Sequence, residues 1–335
     1  MTKLDLAELL GVEDVQRHQE RVAAALRNAA ATDNPYLQQP MERLLGAQSK
    51  RLRSGLVMAV VASQGKPIDK QVIQACAAIE LVHMASLVHD DIIDQAPMRG
   101  SVATVNSMEG VHCAILVGDY LFAQAGVLAA QVSAQMAELI ETTIVQLCDG
   151  EARELADQYN MDRTQQSLFK AIMGKTGALM AAACQAGGLC TGSSAGEVLA
   201  LRSFGLQFGA AFQLLDDLLD FVSTPQLIGK QVGADVREGV YTWPVLHALS
   251  STNGTQLRKL LLGKHDVTAL LVRNGSLTQS LDLIIDYNQR AVVALKGTTG
   301  TKKLAQLPGN YTKWALQNLV SPQYKTLTQR FVGPK

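Results

Sequence analysis

The sequence predicts an all-α fold: a single domain over residues 1–335, built as a bundle of long helices around a central cavity. Three observations carry this expectation. No proline occurs between Pro97 and Pro225, and a helix interior accepts proline only at a cost of about 3 kcal/mol. Over that stretch apolar residues recur at three- and four-residue intervals, with no sustained alternation of the kind a half-buried strand shows. Two Asp-Asp-x-x-Asp clusters, Asp90/Asp91/Asp94 and Asp216/Asp217/Asp220, interrupt apolar helical runs about 120 residues apart.

Taken in order, residues 5–30 read as a polar, amphipathic first helix, and Thr32-Asp33-Asn34-Pro35 as a stop and restart. Residues 51–64 form a further helix closed by Gly65-Lys66-Pro67, and 69–95 the helix that bears the first acidic cluster. Pro97 to Asn106 is a loop, after which helices are expected over 110–131, 133–158, 164–186 and 194–222. The last carries the second cluster and stops before Thr224-Pro225, with Ile228 to Tyr241 a glycine-bearing loop. Beyond Trp243-Pro244 the chain turns more polar, and shorter helices are expected to break at Gly254, Gly275, Gly300 and Pro308-Gly309. The uncharged stretch Thr176 to Gly196 matches a membrane span in length, but its glycines and Thr-Gly-Ser-Ser turn favour a packed interior helix.

Composition bounds the partners. Thirty basic residues balance thirty acidic ones, so no overall field draws nucleic acid or an anionic membrane surface. Any polyanion must be held by a local cluster. The five cysteines are scattered without Cys-x-x-Cys spacing, and Asp5 and Glu8 near the start are unlike an export signal. Buried thiols in a reducing cytoplasm and no transmembrane segment are the expectation.

The acidic clusters carry the chemistry. Aspartate within a helix and like charges four residues apart each cost roughly 0.2–0.7 kcal/mol, and rules broken this openly mark functional sites. Positions i and i+4 share a helix face, so Asp90 pairs with Asp94 and Asp216 with Asp220. Oxygen-only ligands suit hard cations, and Mg²⁺ takes one or two carboxylates and completes its shell with water and substrate phosphate. Two such faces across a cavity would clamp several Mg²⁺ around one diphosphate. The bland alternative, a pair of solvated acidic helix ends, fits one cluster better than two. Candidate cations for the phosphate are Lys50, Arg51, Arg53, Arg99, Lys175 and Lys230, each unremarkable alone.

These features occur in one order. Lys50-Arg51-Leu52-Arg53 is followed by Glu80 to Asp94, then Arg99, Thr104-Val105-Asn106 and Gly118 to Phe122. Gly150-Glu151, Lys175-Thr176, Phe212-Gln213 with the second cluster, and Gly229-Lys230 complete the set. It resembles the trans-type polyprenyl diphosphate synthases, strongly over residues 20–250 and more vaguely over the polar part, 251–335. The resemblance implies the isoprenoid-synthase bundle and a homodimer, with the uncharged 120–137 segment as its buried face. It implies that Asp90, Asp94 and Asp216, supported by Asp91, Asp217 and Asp220, hold Mg²⁺, three ions once diphosphate is bound. The metals would assist ionisation of an allylic prenyl diphosphate. Arg99, Lys175, Thr176, Gln213 and Lys230 would complete the leaving-group site. Lys50, Arg53 and His83 would hold isopentenyl diphosphate, whose double bond attacks the cation; departing pyrophosphate takes the final proton. His83 also has an ordinary reading as a satisfied core histidine.

Four departures from the family pattern stand out. Gly100 replaces a second arginine, Ser49 and Ser54 flank the basic tetrapeptide, Val240 replaces a loop lysine, and Gln231 replaces a common proline. Each lost charge-assisted hydrogen bond is worth about 1.5–3 kcal/mol, roughly ten- to a hundredfold in binding. Two rivals on the same fold follow: a terpene synthase ionising one prenyl diphosphate, and a weakly active subunit of a heteromeric synthase. A third, a His-Asp metal phosphohydrolase built on His89-Asp90, leaves the second cluster unused. Retention of Lys50, Arg53 and His83 favours chain elongation. One turn below Asp90 lie Ser86 and Ala85, both small, so the expected product is longer than farnesyl: geranylgeranyl or beyond.

Overall fold

A computed structural model describes residues 4–46, 50–100, 102–228 and 231–332 of the chain. Among the described residues its regular structure is helical apart from one ribbon of two two-residue strands, as the all-α expectation requires. The expected first helix is split into α1 (Leu6–Leu10) and α2 (Val15–Ala30). Gly11 caps α1 at φ 63° and Asp14 redirects the chain at φ 49°; left-handed backbone ends a helix.

Next come α3 (Pro35–Gly46), α4 (Leu52–Ser63) and α5 (Lys70–Ile93), the last started by Asp69, whose carboxylate accepts from the Val72 N–H. The expected loop after α5 contains structure: β1 (Met98–Arg99) pairs antiparallel with β2 (Val102–Ala103), and α6 (Val105–Glu109) follows. Helices α7 (Val111–Val132) and α8 (Ala134–Ala156) match the sequence reading closely. The expected 164–186 helix is α9 (Gln165–Ile172) and α10 (Ala178–Thr191), joined by a π-helical turn at Met173–Gly177. Such turns recur at functional sites. Helix α11 (Ala195–Val222) opens on a capping box between Ser194 and Glu197.

Short helices α12 (Pro225–Ile228), α13 (Ala234–Arg237), α14 (Trp243–Leu249), α15 (Gly254–Leu262) and α16 (Thr268–Arg273) lead to α17 (Ser276–Ala294). Helix α18 (Lys302–Asn318) and α19 (Lys325–Val332) close the chain. The expected break at Pro308-Gly309 is absent: both lie inside α18. Leu304, Leu307, Pro308 and Ala315 are buried there, so packing outweighs the hydrogen bond that proline cannot donate.

Two apolar clusters hold the bundle. One gathers α4, α5, α7 and α10 with Phe204 and Phe208 of α11; the other joins the C-terminal half of α11 to α14, α16 and α17. Helix α11 is therefore common to both, and its acidic cluster sits on the half that enters the second. The uncharged stretch becomes α10, packed inside against α11 and α4. Three other helices, α5, α7 and α11, are long and apolar enough to cross a membrane by length and composition. The bundle buries 67% and 56% of the most apolar windows of α5 and α11, but only 39% of that of α7.

Candidate active site

The first cluster ends α5. Asp90 lies in the last turn, and Asp94 caps the helix by donating its N–H to the Asp90 carbonyl at 2.8 Å. Burial pushes the Asp90 carboxyl up to about 7, against the opposing pull of Lys175. It raises Asp94 too. Asp91 is otherwise engaged: it is 5% exposed and receives Arg99 through Nε at 3.0 Å and Nη2 at 2.8 Å. Asn106 donates to the Asp91 carbonyl at 3.1 Å and Thr104 to that of Ala96 at 2.7 Å. Asp91 thus latches the ribbon after the helix and sets the position of Arg99. His89 packs on α7, with its ring edge-on to Phe122 at 5.6 Å and Nε2 at 3.3 Å from the Ile115 carbonyl. Gly118 makes the room, since a Cβ there would lie 2.1 Å from that nitrogen.

The second cluster lies on α11. Asp216 is half-buried, while Asp217 and Asp220 are 3% and 1% exposed. Thr176 donates to Gln213 Oε1 at 2.6 Å, and Gln213 donates from Nε2 to Asp217 at 2.8 Å. Burial raises the Asp217 carboxyl well above its ordinary value, Asp235 adds to this, and the Gln213 hydrogen bond opposes it.

The π turn joins the clusters. Lys175 Nζ meets Glu151 at 2.7 Å and Glu154 at 2.6 Å. Burial works against its charge, but Glu154 and Glu151 outweigh burial and hold the ammonium above the usual lysine range. Lys175 acts electrostatically on Asp90 and Asp94, and Glu154 on Asp94 and Asp217. Thr176, the next residue, donates to Gln213 on α11, so the π turn ties α8 to the second acidic helix, and the electrostatic influence of Lys175 and Glu154 extends to the first. Gly150 and Gly174 permit this, because a Cβ on Gly150 would lie 2.4 Å from the Lys175 backbone nitrogen. Among the described residues no three His, Cys, Asp or Glu side chains converge tightly enough to hold an ion by themselves.

Beside this centre is a cavity of about 160 Å³ whose lining includes Lys50, Arg53, Glu80, His83, Phe212 and Tyr311. Arg53 donates from Nη1 to His83 Nε2 at 2.9 Å, while its buried Nε has no hydrogen-bond partner. Burial, and then Arg53, push the His83 imidazole well below its usual range, so it is neutral and can accept. Lys50 is exposed, its Nζ 5.2 Å from the Trp314 ring centroid. Arg51 is structural: it stands at φ 46° and exchanges hydrogen bonds with Gln19 at 3.1 and 3.2 Å. Lys230, Gly229, Ser49 and Ser101 lie outside the described residues. Sequence reasoning missed Glu154, Asp235, Tyr311 and Trp314. Glu154, one turn beyond Glu151, was detectable by spacing; the two aromatic residues sit in the polar C-terminal part and carried no signal.

Comparison with known proteins decides the family. The polyprenyl synthetase family model matches residues 34–271, well over half of the chain. The chain belongs to the polyprenyl synthetase family. Among its relatives, a nonaprenyl diphosphate synthase of Mycobacterium tuberculosis is 32% identical over 317 residues, covering 91% of this synthetase and 94% of the relative. A heptaprenyl diphosphate synthase component 2 of Geobacillus stearothermophilus is 36% identical over 230 residues, 68% of this chain and 72% of its own. The synthetase superposes on a Caulobacter crescentus polyprenyl synthase, complexed with calcium and isoprenyl diphosphate, at a TM-score of 0.82 and 27% identity. That match covers 91% of this chain and 96% of the other. This synthetase is thus a prenyl-transferring enzyme of an all-α, divalent-metal-dependent family.

Proposed function

We propose that this synthetase condenses isopentenyl diphosphate with an allylic diphosphate and repeats the addition to a product longer than farnesyl. The allylic C–O bond breaks, pyrophosphate leaves with the electron pair, and the isopentenyl double bond forms the new C–C bond. Pyrophosphate then takes the proton lost from the adduct. The observation that carries this is the π turn: Lys175 is ion-paired with Glu151 and Glu154 of α8, and its neighbour Thr176 donates to Gln213, which donates to Asp217 of the second cluster.

The donor set fits Mg²⁺. It is all oxygen, and burial already drives Asp90 toward neutrality, a penalty that an adjacent cation removes. Asp90, Asp94 and Asp216 would hold the ions, three with diphosphate bound. Asp220 supports them, as do Asp91 and Asp217, which Arg99 and Gln213 also engage. When bound, Mg²⁺ offsets the charge of the departing pyrophosphate. Lys175, Thr176 and Lys230 would complete the leaving-group site. Arg53, fixed by neutral His83, and Lys50 would bind isopentenyl diphosphate.

The catalytic unit is read as one domain over 1–335, because α11 belongs to both apolar clusters. Helix α7 exposes Val111, Ile115, Leu116 and Val127, which supports a homodimer through that face, starting earlier than the 120–137 segment. A cytoplasmic location without a transmembrane segment or nucleic-acid partner accords with five free cysteines and balanced charge. A second reading, a subunit of a heteromeric synthase, is favoured by the Geobacillus stearothermophilus relative, which is named component 2.

The test is a product assay with labelled isopentenyl diphosphate against dimethylallyl, geranyl, farnesyl and geranylgeranyl starters, with and without Mg²⁺. Product longer than farnesyl, formed only when both substrates and metal are present, is expected. Hydrocarbon from a lone prenyl diphosphate would establish the terpene-synthase reading instead.

A further inference from the structure

Among the described residues outside the stretch matched by the family, Leu4, Leu6 and Tyr311 line the small basic cavity, and Tyr311 is the aromatic one. Tyr311 projects from α18, beyond residue 271 where the family match ends. Its ring stacks on Phe212 at 5.2 Å and 24°, meets Phe208 edge-on at 6.2 Å, and lies 6.0 Å from Trp314. Phe212 is one turn before Asp216 on α11. Asp216 and Arg53 both act electrostatically on the Tyr311 hydroxyl. Tyr311 therefore stands where the small basic cavity meets the acidic centre, and it lines that cavity.

The cavity's size sets a limit. About 160 Å³ is well under the roughly 300–1,000 Å³ of ordinary small-molecule sites. Its polar end carries Lys50 and the unpartnered Arg53 Nε, which call for a small anion. The apolar part of its lining is Leu4, Leu6 and Leu52 with the rings of Phe212 and Tyr311. The Tyr311 ring takes up space in this small cavity, so a short apolar group is accommodated more readily than a long hydrocarbon.

We propose that Tyr311 is a specificity-determining residue of the acceptor pocket: its ring walls the cavity so that the five-carbon homoallylic diphosphate enters and longer prenyl diphosphates are shut out. The inference rests on the functional reading above. It assigns the role to the ring, held by Phe212 and Trp314, rather than to the hydroxyl. Phenylalanine should therefore serve in its place.

The experiment compares Tyr311→Ala, Tyr311→Leu and Tyr311→Phe by steady-state kinetics, with thermal unfolding as the control for folding. The alanine and leucine variants should raise the KM for isopentenyl diphosphate at least about fivefold and leave the allylic KM unchanged. They should also become inhibited by geranyl diphosphate competitively with isopentenyl diphosphate. Tyr311→Phe should behave as the parent. A folded alanine or leucine variant whose isopentenyl KM stays within about twofold, without new inhibition, overturns the proposal. So does a phenylalanine variant as impaired as alanine.

A second arm reads binding without turnover. The chain has two tryptophans, and Trp243 stacks on His247 away from this cavity. In a Trp243→Phe background, Trp314 fluorescence reports the pocket during titration with isopentenyl diphosphate or geranyl diphosphate alone. The Tyr311 parent should respond more tightly to the first, and Tyr311→Leu should gain response to the second. Equal responses in both proteins overturn the wall. A parent that binds in this assay but transfers no isoprene unit overturns the functional reading instead, so the two failures are distinct.

Discussion

Replacing Gly150 by alanine tests the backbone contact that holds the acidic centre together. The added Cβ would lie 2.4 Å from the Lys175 nitrogen and 2.7 Å from the Gly174 carbonyl carbon, where ordinary contact begins at 3.4 Å. The shortfall, 3.4 − 2.4 = 1.0 Å, falls on main-chain atoms of the π turn, which have no rotamer to change. Helix α8 and the turn must separate by about that distance, and overpacking of this kind costs about 1–3 kcal/mol. With an unfolding entropy of about 2.1 cal/mol/K per residue, a chain of 335 residues shifts by roughly 1.4 °C per kcal/mol, so thermal unfolding should drop by roughly 1–4 °C. Activity should fall further, because Lys175 would leave Glu151 and Glu154, and a displacement near 1 Å can cost about a hundredfold. Differential scanning fluorimetry and the labelled condensation assay measure both. A variant that unfolds with its parent and keeps kcat within about twofold would refute the reasoning that this glycine contact positions the site.

Three further expectations concern single side chains. Because His83 is held below its usual range, the unfolded chain binds a proton there that the folded chain does not. Stability is then complete above about pH 6.5 and declines as pH falls below it. Denaturant unfolding of His83→Gln should show a shallower acid limb, not a flat one, since burial also lowers His18 and His247. An unchanged limb would mean that His83 titrates freely. Ala85→Phe should shorten the product, because Ala85 is fully buried one turn below Asp90; chain-length analysis giving the parental product would remove it from the tunnel wall. His89→Ala should lose some stability through its contact with α7 and keep most activity, whereas near-complete inactivation would revive the His-Asp metal reading.

Much of this was legible in the sequence because the site breaks local rules. Six aspartates in apolar helices are costly anywhere but around cations, and their four-residue spacing placed Asp90 with Asp94 before any coordinates. The long middle helices were legible because proline is absent there and the apolar pattern is unbroken. The split at Gly11 was not, since an isolated glycine is tolerated in many helices and only its left-handed φ ends this one. Pro308 misled in the opposite direction, because the burial that keeps α18 intact is a tertiary effect. Lys175 was visible as an interruption, but the π turn that aims it depends on Gly150 and Gly174 lying face to face across two helices. Asp91 was read only as a support for Asp90 and Asp94; its pairing with Arg99, which gives it a task of its own, shows only in the fold. Tyr311 and Trp314 carry no spacing signal at all, since α18 reaches the cavity only through the fold.

A metal site shared between α5 and α11 is tested by calorimetric titration of Mn²⁺ into the synthetase with and without inorganic pyrophosphate, in the parent, Asp90→Asn and Asp216→Asn. Tight binding of more than one ion should appear only with pyrophosphate present, and either substitution alone should sharply weaken it. Undiminished binding in either variant would contradict a site shared between the two helices.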